Sequence, residues 1–445
     1  MTIIRQDFCE VFNILPLVSL FSKSPVMKRT FIPVRFVLVL FTFIHTLNLY
    51  IDRAVISAAR DPIVADLGLS MTQWGWIMAA FTLGYALFQT PTGYFADARG
   101  PRFVLTFIVV FWSFLTTLTG FMKSFFSMLI VRFLFGAGEA GAFPALSKVV
   151  FNWFPMKERG IVQGINFSGA RIGAAVALPF VAFLIELIGW RYSFVFFGVT
   201  GIMFAIIWYL VFRDKPEDYK FIGEEERAHI LATRQPPSLK KASLPFGKIV
   251  SSGNMWLAMG QYIASNFTFY FTLSWMYPYL KDRFDLGGVE AGFYSSIPLI
   301  AGALGNWFSG WLVDRLYRPG QIILSRRIPA IAGFLLAAAG MILMLFAETP
   351  QISVIYLAIA IFGADMTLSP SWSFCIDIGK ENAGAVSGTM NMAGNLGAFV
   401  TIIAFPYLLG WTGDHRFFFY LCSGLSVMAI VMWSFMRSDR PLVKE

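Results

Sequence analysis

Charge is scarce in this 445-residue chain: 14% of its residues are Asp, Glu, Lys or Arg, against about 25% in a typical soluble domain. Cysteine and histidine are scarcer, at three each. Cys9, Cys375 and Cys422 are too scattered for a disulfide framework or a metal cluster. His45, His229 and His415 are equally isolated. There is no HExxH, no GxSxG and no GxGxxG following a strand. These absences give no foothold for a metal, a cofactor or a catalytic centre, and the chain does not read as an enzyme. Apolar sequence fills the gap, with 57% hydrophobic residues and 48 phenylalanines. Such a composition belongs to an all-α protein that crosses a bilayer many times.

Apolar stretches of about 20 residues separated by short polar turns mark membrane helices. Twelve are expected, at roughly 33–58, 71–96, 102–122, 125–152, 160–186, 190–212, 253–280, 288–314, 325–347, 351–376, 382–410 and 414–436. Loop cations set the orientation. With both termini cytoplasmic, 25 basic residues fall inside, six fall outside (Arg60, Lys123, Arg191, Lys281, Arg283, Arg416) and four lie within spans. This bias accounts for the net charge of +9 without a nucleic-acid partner. The one long loop, 213–252, carries GEEERAHILATRQPPSLKKA and divides the chain into six-helix halves, 27–212 and 253–445. Residues 1–26 include an apolar run too short to span, with no convincing small-residue cleavage site. They read as a disordered or interfacial tail, and MKRTFIPVR from Met27 reads as the more natural start.

A repeat supports the two halves. GYFADARGPR closes span two and GWLVDRLYRPG closes span eight, so Gly93 matches Gly310 and Asp97 matches Asp314, both 217 residues apart. Glycine lets two helices cross closely. An aspartate at a helix end can accept hydrogen bonds from the N-terminus of a neighbouring helix, and Arg99, Arg102 and Arg315 are nearby cations. The bland reading is ordinary turn chemistry with snorkelling cations.

At these residues the chain resembles the major facilitator superfamily, whose signature loop has the form G-x-x-x-D-(R)-x-G-x-R. Gly93, Asp97, Gly100 and Arg102 fit it, while Ala98 replaces the usual basic residue. NLYIDR in span one, GYALFQTPTGYFAD in span two, RFLFGAGEAGAFPA in span four and SGTMNMAGNLGAF in span eleven together resemble the anion:cation symporters within that superfamily. The resemblance runs from Met27 to about Arg437. It implies twelve helices with inverted repeats, a central site and alternating access. It also implies arginines for an organic anion and acids for a proton.

The charges inside the spans point the same way. Each costs about 2.5–3.5 kcal/mol at mid-bilayer on insertion scales, so it needs a partner or an aqueous cavity. Asp52 and Arg53 in span one and Arg132 in span four are expected at similar depth, with Glu139 two turns further along the face of Arg132. Arginine pairs with carboxylates through a planar fork. A carboxyl withdrawn from water favours its neutral form, and a neighbouring arginine opposes this. Asp52 and Glu139 are therefore the candidate proton sites, and Arg53 and Arg132 the candidate anion ligands. The alternative for all four is a static role in ion pairs.

Arg171 in span five is either a further anion ligand or the partner of an acid from another helix. Asp365 in span ten is either its partner across the cavity or a cation site. Asp377 reads as a gate or a solvated charge. Asn391 and Asn395, four apart in span eleven, share a face that can hydrogen-bond substrate hydroxyls. Tyr85, Gln89, Ser369, Ser371 and Trp372 are weaker ligand candidates, and Tyr50, Tyr270 and Trp275 are possible pocket walls. His45 reads as an interior histidine.

The whole reads as a monomeric secondary transporter of the plasma or inner membrane. It would bring in a small organic anion such as a hexuronate or aldonate together with a proton. Sodium coupling, a drug/proton antiporter and a transporter-like sensor are the competitors. Buried arginines disfavour a cationic drug, and the short central loop disfavours an output domain.

Overall fold

The computed structural model describes residues 33–236 and 244–442. The expected tail, 1–26, and positions 237–243 of the expected linker lie outside the described residues. Among those described the chain is helical, with no strand. In chain order the helices begin with α1 (Val34–Ala58), α2 (Arg60–Leu67), α3 (Met71–Arg99), α4 (Pro101–Thr119), α5 (Phe125–Glu139), α6 (Ala142–Trp153) and α7 (Arg159–Val211). The connector carries α8 (Glu224–Thr233) and α9 (Phe246–Val250). The second half follows as α10 (Gly253–Ser274), α11 (Met276–Phe284), α12 (Gly288–Leu316), α13 (Ile322–Leu343), α14 (Pro350–Met366), α15 (Leu368–Gly379), α16 (Ala383–Thr412) and α17 (Arg416–Phe435). All twelve expected spans are helical. Among the described residues, seven helical stretches are long and apolar enough to cross a membrane on those grounds alone. The others turn polar side chains inward, such as Gln89 on α3 and Asn306 on α12, both fully buried. Large apolar residues, including Trp76, Phe126, Tyr192 and Trp411, remain exposed on the outside of the bundle, as a lipid-facing surface requires.

Proline explains where the spans break. A proline has no N–H for the carbonyl four residues earlier, and its ring crowds that carbonyl. Pro62, Pro144, Pro278 and Pro370 each stand four residues after a break: α1 stops at Ala58, α5 gives way at Ala140, α10 stops at Ser274 and α14 stops at Met366. The released Met366 carbonyl is taken up by the Ser309 hydroxyl from α12. Gly189, at φ 77°, breaks α7 into two spans. Gly100, at φ 83°, makes the tight corner between α3 and α4.

The two repeat sequences perform the same task twice, at the end of the bundle where the connector lies. Asp97, near the end of α3, accepts hydrogen bonds from the backbone N–H groups of Gly384 (3.0 Å) and Ala385 (2.7 Å) at the start of α16. Asp314, near the end of α12, accepts them from Gly160 and Ile161 at the start of α7, both at 2.8 Å. The first free N–H groups and the positive end of the helix dipole are thereby satisfied by a carboxylate. Beside each aspartate a glycine allows the crossing: a Cβ on Gly93 would strike the Gly384 carbonyl, and one on Gly310 would strike that of Gly160. The nearby arginines are not the partners. Arg102 instead donates to the Tyr209 carbonyl, and its own N–H bonds Asp214. Lys148, at 3.9 Å, is the cation beside Asp97, and no ion pair to Arg315 occurs among the described residues. Gly93→Val should overpack the crossing and destabilise the protein by about 1–3 kcal/mol. This is read as a lower melting temperature of the purified protein, and an unchanged one would count against the close approach.

Candidate functional site

Asp52 and Arg53 are neighbours on α1, so their side chains leave the helix about 100° apart and meet different helices. Asp52 turns to α4, where its Oδ2 accepts a hydrogen bond from Trp112 Nε1 at 3.0 Å. Arg53 turns to α3 and α5. Its Nε donates to Glu139 Oε2 at 2.7 Å, and its guanidinium lies over the rings of Tyr85 (4.4 Å), Tyr50 (4.9 Å) and Phe81 (5.1 Å). The Arg53 side chain keeps 15% exposure, whereas Glu139 has none. The second Glu139 oxygen, Oε1, is buried without a hydrogen-bond partner among the described residues. Small residues make this pairing possible. A Cβ on Gly136 would strike the Phe81 carbonyl and one on Gly84 the Phe133 carbonyl, so α3 and α5 cross almost backbone to backbone.

Arg132 lies two turns before Glu139 but does not bond it. Its guanidinium sits 4.7 Å from the Phe135 ring centre and 5.0 Å from that of Phe81, and its Nε is buried without a hydrogen-bond partner among the described residues. No ion pair to it occurs among the described residues. Glu139, Arg53 and Asp52 are the charges whose fields reach it. The four expected charges are thus brought together, with Arg53 rather than Arg132 on the glutamate.

Arg53 is the member of this group that faces a central cavity. The first half contributes Tyr50, Arg53, Tyr85, Phe143, Phe167 and Arg171 to its wall; the second contributes Tyr262, Asn266, Tyr270, Asp365, Trp372, Asn391 and Asn395. Its volume is about 40 Å³, room for roughly three waters. Arg171 is held by Asp365 through a fork, Nε to Oδ2 at 2.7 Å and Nη2 to Oδ1 at 2.6 Å, with the Phe269 ring 3.6 Å away. Asn395 donates to the Asn391 side chain at 3.1 Å and accepts from the Tyr270 hydroxyl at 3.0 Å. On another wall Phe143 and Phe167 stack 5.0 Å apart, and Trp372 packs on both while donating to the Tyr262 hydroxyl.

Other candidates stand back from this cavity. Gln89 is fully buried one turn from Tyr85, and neither of its side-chain polar atoms has a hydrogen-bond partner among the described residues. Ser371 bonds Gln261 and the Thr367 carbonyl, and Ser369 bonds the Gly160 carbonyl. Trp275 donates to the Ile402 carbonyl. His45 is packed among Trp112, Phe204 and Trp208.

Sequence reasoning passed over Tyr262, Asn266, Phe143 and Phe167, which an aromatic-rich background hides. Asp377 is not a solvated charge: it is 2% exposed and lies in a buried cluster at the connector end, where it accepts from Arg159 at 2.6 Å and Arg326 at 2.9 Å, two arginines that sequence reasoning passed over. Gln235 of the connector bonds both Arg159 and the Asp377 carbonyl. This cluster, the two aspartate clasps and the Lys148 contact to the Glu381 carbonyl join the two halves at that end.

Chemically, the cavity presents the Arg53 guanidinium, amides and phenols, with Arg171 already bonded to Asp365 and a dry carboxyl, Glu139, bonded to Arg53 behind the wall. A family model described as Major Facilitator Superfamily matches residues 38–402. The chain is 32% identical over 433 residues to a probable galactarate/D-glucarate transporter, GarP, of Escherichia coli (strain K12), covering 93% of this chain and 96% of that one. It is 31% identical over 379 residues to a probable sulfoacetate transporter, SauU, of Cupriavidus necator, covering 84% and 87%. It is 27% identical over 419 residues to a hexuronate transporter of Bacillus subtilis (strain 168), covering 91% and 94%. Among solved structures, the proton:xylose symporter XylE superposes with a TM-score of 0.70 at 17% identity, covering 90% of this chain and 96% of that one.

Proposed function

The chain belongs to the major facilitator superfamily, and from that premise we propose that it is a secondary carrier of a small organic anion, a sugar acid, taken up together with a proton by alternating access. One observation carries the reading: the cavity-facing fork of Arg53 is bonded at 2.7 Å to Glu139, a carboxyl with no exposure. Glu139 takes the Nε of Arg53, while Nη2 has no hydrogen-bond partner among the described residues, so an arriving anion competes with that carboxyl for one guanidinium. Left in a dry site, Glu139 is best accommodated by a proton, because an unpaired buried charge is costly. Anion arrival and proton uptake then become one event. Asn391, Asn395 and the phenols supply bonds for hydroxyl groups.

The relatives' names support the substrate class, and the loop cations support both termini being cytoplasmic in the cell membrane. The ties at the connector end and the narrow cavity support a carrier that must rearrange to admit a sugar acid. Asp52, bonded to Trp112 rather than to the anion ligands, serves as the second carboxyl of the proton path. Arg132 provides positive potential beside Glu139.

Purified protein in liposomes should accumulate labelled galactarate or glucuronate when the outside is acidified, with no response to a sodium gradient. Absence of flux would refute the carrier reading, and flux driven by sodium alone would refute the proton.

A further inference from the structure

A second recess lies apart from the central cavity, at the end of the bundle where the connector lies. Its volume is about 670 Å³, within the roughly 300–1,000 Å³ of small-molecule sites. Its walls come from the second half alone: Lys248 on α9, Asn254 at the start of α10, Phe435 closing α17, and Arg437, Arg440 and Leu442 of the tail that follows. None of these lines the central cavity, so the recess stands apart from the carrier reading. We infer that it holds the headgroup of an anionic phospholipid, whose phosphate neutralises Lys248 and Arg440 and whose acyl chains run out over Phe435.

The tail gives the recess fixed walls. Beyond α17 the chain turns back on the start of α10, where Asn254 donates to the Arg437 carbonyl at 2.7 Å and accepts from the Arg437 N–H at 2.9 Å. Further on, the Leu442 N–H donates to the Ile378 carbonyl at 2.9 Å. The stretch 437–442 is thus pinned at both ends, and Arg440 is held between the pins. The charges do not cancel. Asp439 feels the field of Arg440, but it is bonded by Arg437 through a fork with both bonds at 3.0 Å. Lys248 and Arg440 make no ion pair among the described residues. The start of α10 adds to the positive field, since the Ser252 side chain does not cap it. Cations gathered at one recess repel each other unless an anion sits among them.

The surroundings favour a lipid over a free anion. Helix α17 is long and apolar enough to cross a membrane and ends at Phe435, which is 68% exposed. Trp256 on α10 is 62% exposed, and its indole N–H donates to the Val250 carbonyl at 2.7 Å. Aromatic side chains with one apolar and one polar end settle at the level of the headgroups. The cations therefore stand where the lipid-facing surface ends, and basic pockets at that level suit phosphate headgroups. A free phosphate would use the cations and leave the aromatic rim in water.

Native mass spectrometry of the purified full-length protein, released from micelles of equal phosphatidylglycerol and phosphatidylcholine, tests this. The protein is expected to retain phosphatidylglycerol about tenfold over phosphatidylcholine, because each cation near an anionic headgroup contributes to its hold. Lys248→Gln with Arg440→Gln, both exposed side chains, should bring that ratio below about threefold. Lys215→Gln with Lys220→Gln, exposed cations of the connector outside the recess, should leave it unchanged. The parent ratio is read without any variant and tests the inference even where the recess variant does not fold. An even ratio in the parent or an undiminished one in the recess variant overturns the proposal. An equal fall in the connector variant also overturns it, by showing general attraction to a basic surface. Displacement of the lipid by millimolar inorganic phosphate or glycerol 3-phosphate would assign the recess to a free phosphate and overturn the lipid as its occupant.

Discussion

Replacing Arg53 by glutamine should weaken binding of the organic anion at least a hundredfold, measured by calorimetry on purified protein. A carboxylate on a guanidinium fork gains two charge-assisted hydrogen bonds, each worth about 1.5–3 kcal/mol, and a hundredfold corresponds to about 2.7 kcal/mol. Glutamine keeps much of the volume and two N–H donors on one nitrogen, but no charge and no planar fork. Arg53→Lys keeps the charge without the fork, and its loss should be nearer tenfold. A complication is that Glu139 loses its partner, so a single variant confounds a missing ligand with an intruding acid. The double variant Arg53→Gln, Glu139→Gln separates them. If Arg53 holds the anion, removing Glu139 as well restores little. Full recovery of affinity in the double variant would mean that Arg53 only neutralises Glu139.

Glu139→Gln should abolish accumulation driven by a proton gradient while sparing exchange of labelled for unlabelled anion across the membrane. The amide can still accept the Arg53 hydrogen bond through its oxygen, but it carries no exchangeable charge. The carrier can then alternate with anion bound on both sides, and the gradient has nothing to act on. In liposomes the steady-state inside-to-outside ratio should fall to unity, with exchange within a few-fold of the parent protein. Retained accumulation would exclude Glu139 as the coupling carboxyl. Loss of exchange as well would assign it to anion binding or to the fold.

Much of the fold was legible because the bilayer makes apolar length a direct reporter of where the helices lie. The repeat was legible because a glycine and an aspartate recur at the same place in each half, and of their two readings the helix-crossing one holds: Asp97 and Asp314 both meet backbone N–H groups. The candidate charges could be placed on faces and levels, since helical spacing gives both. Partner choice could not. Asp52 and Arg53 are adjacent in sequence, and only the rotation of α1 decides that Asp52 meets Trp112 while Arg53 meets Glu139. Arg159 and Arg326 looked like ordinary cations near loops, because nothing local reveals that Asp377 draws both into a cluster with no exposure on either arginine. Tyr262 and Asn266 were invisible for another reason: one phenol and one amide carry little signal in a chain with 15 tyrosines and 48 phenylalanines.

The mirrored clasps of Asp97 on the start of α16 and Asp314 on the start of α7 are each anchored in opposite halves of a stiff bundle. Neither half can swing away on one side and stay fastened on the other without bending its own helices. In the alternating-access carrier proposed above, the two latches would have to release together, leaving the door no half-open resting place at this end. A lesion in one latch would be felt at its twin.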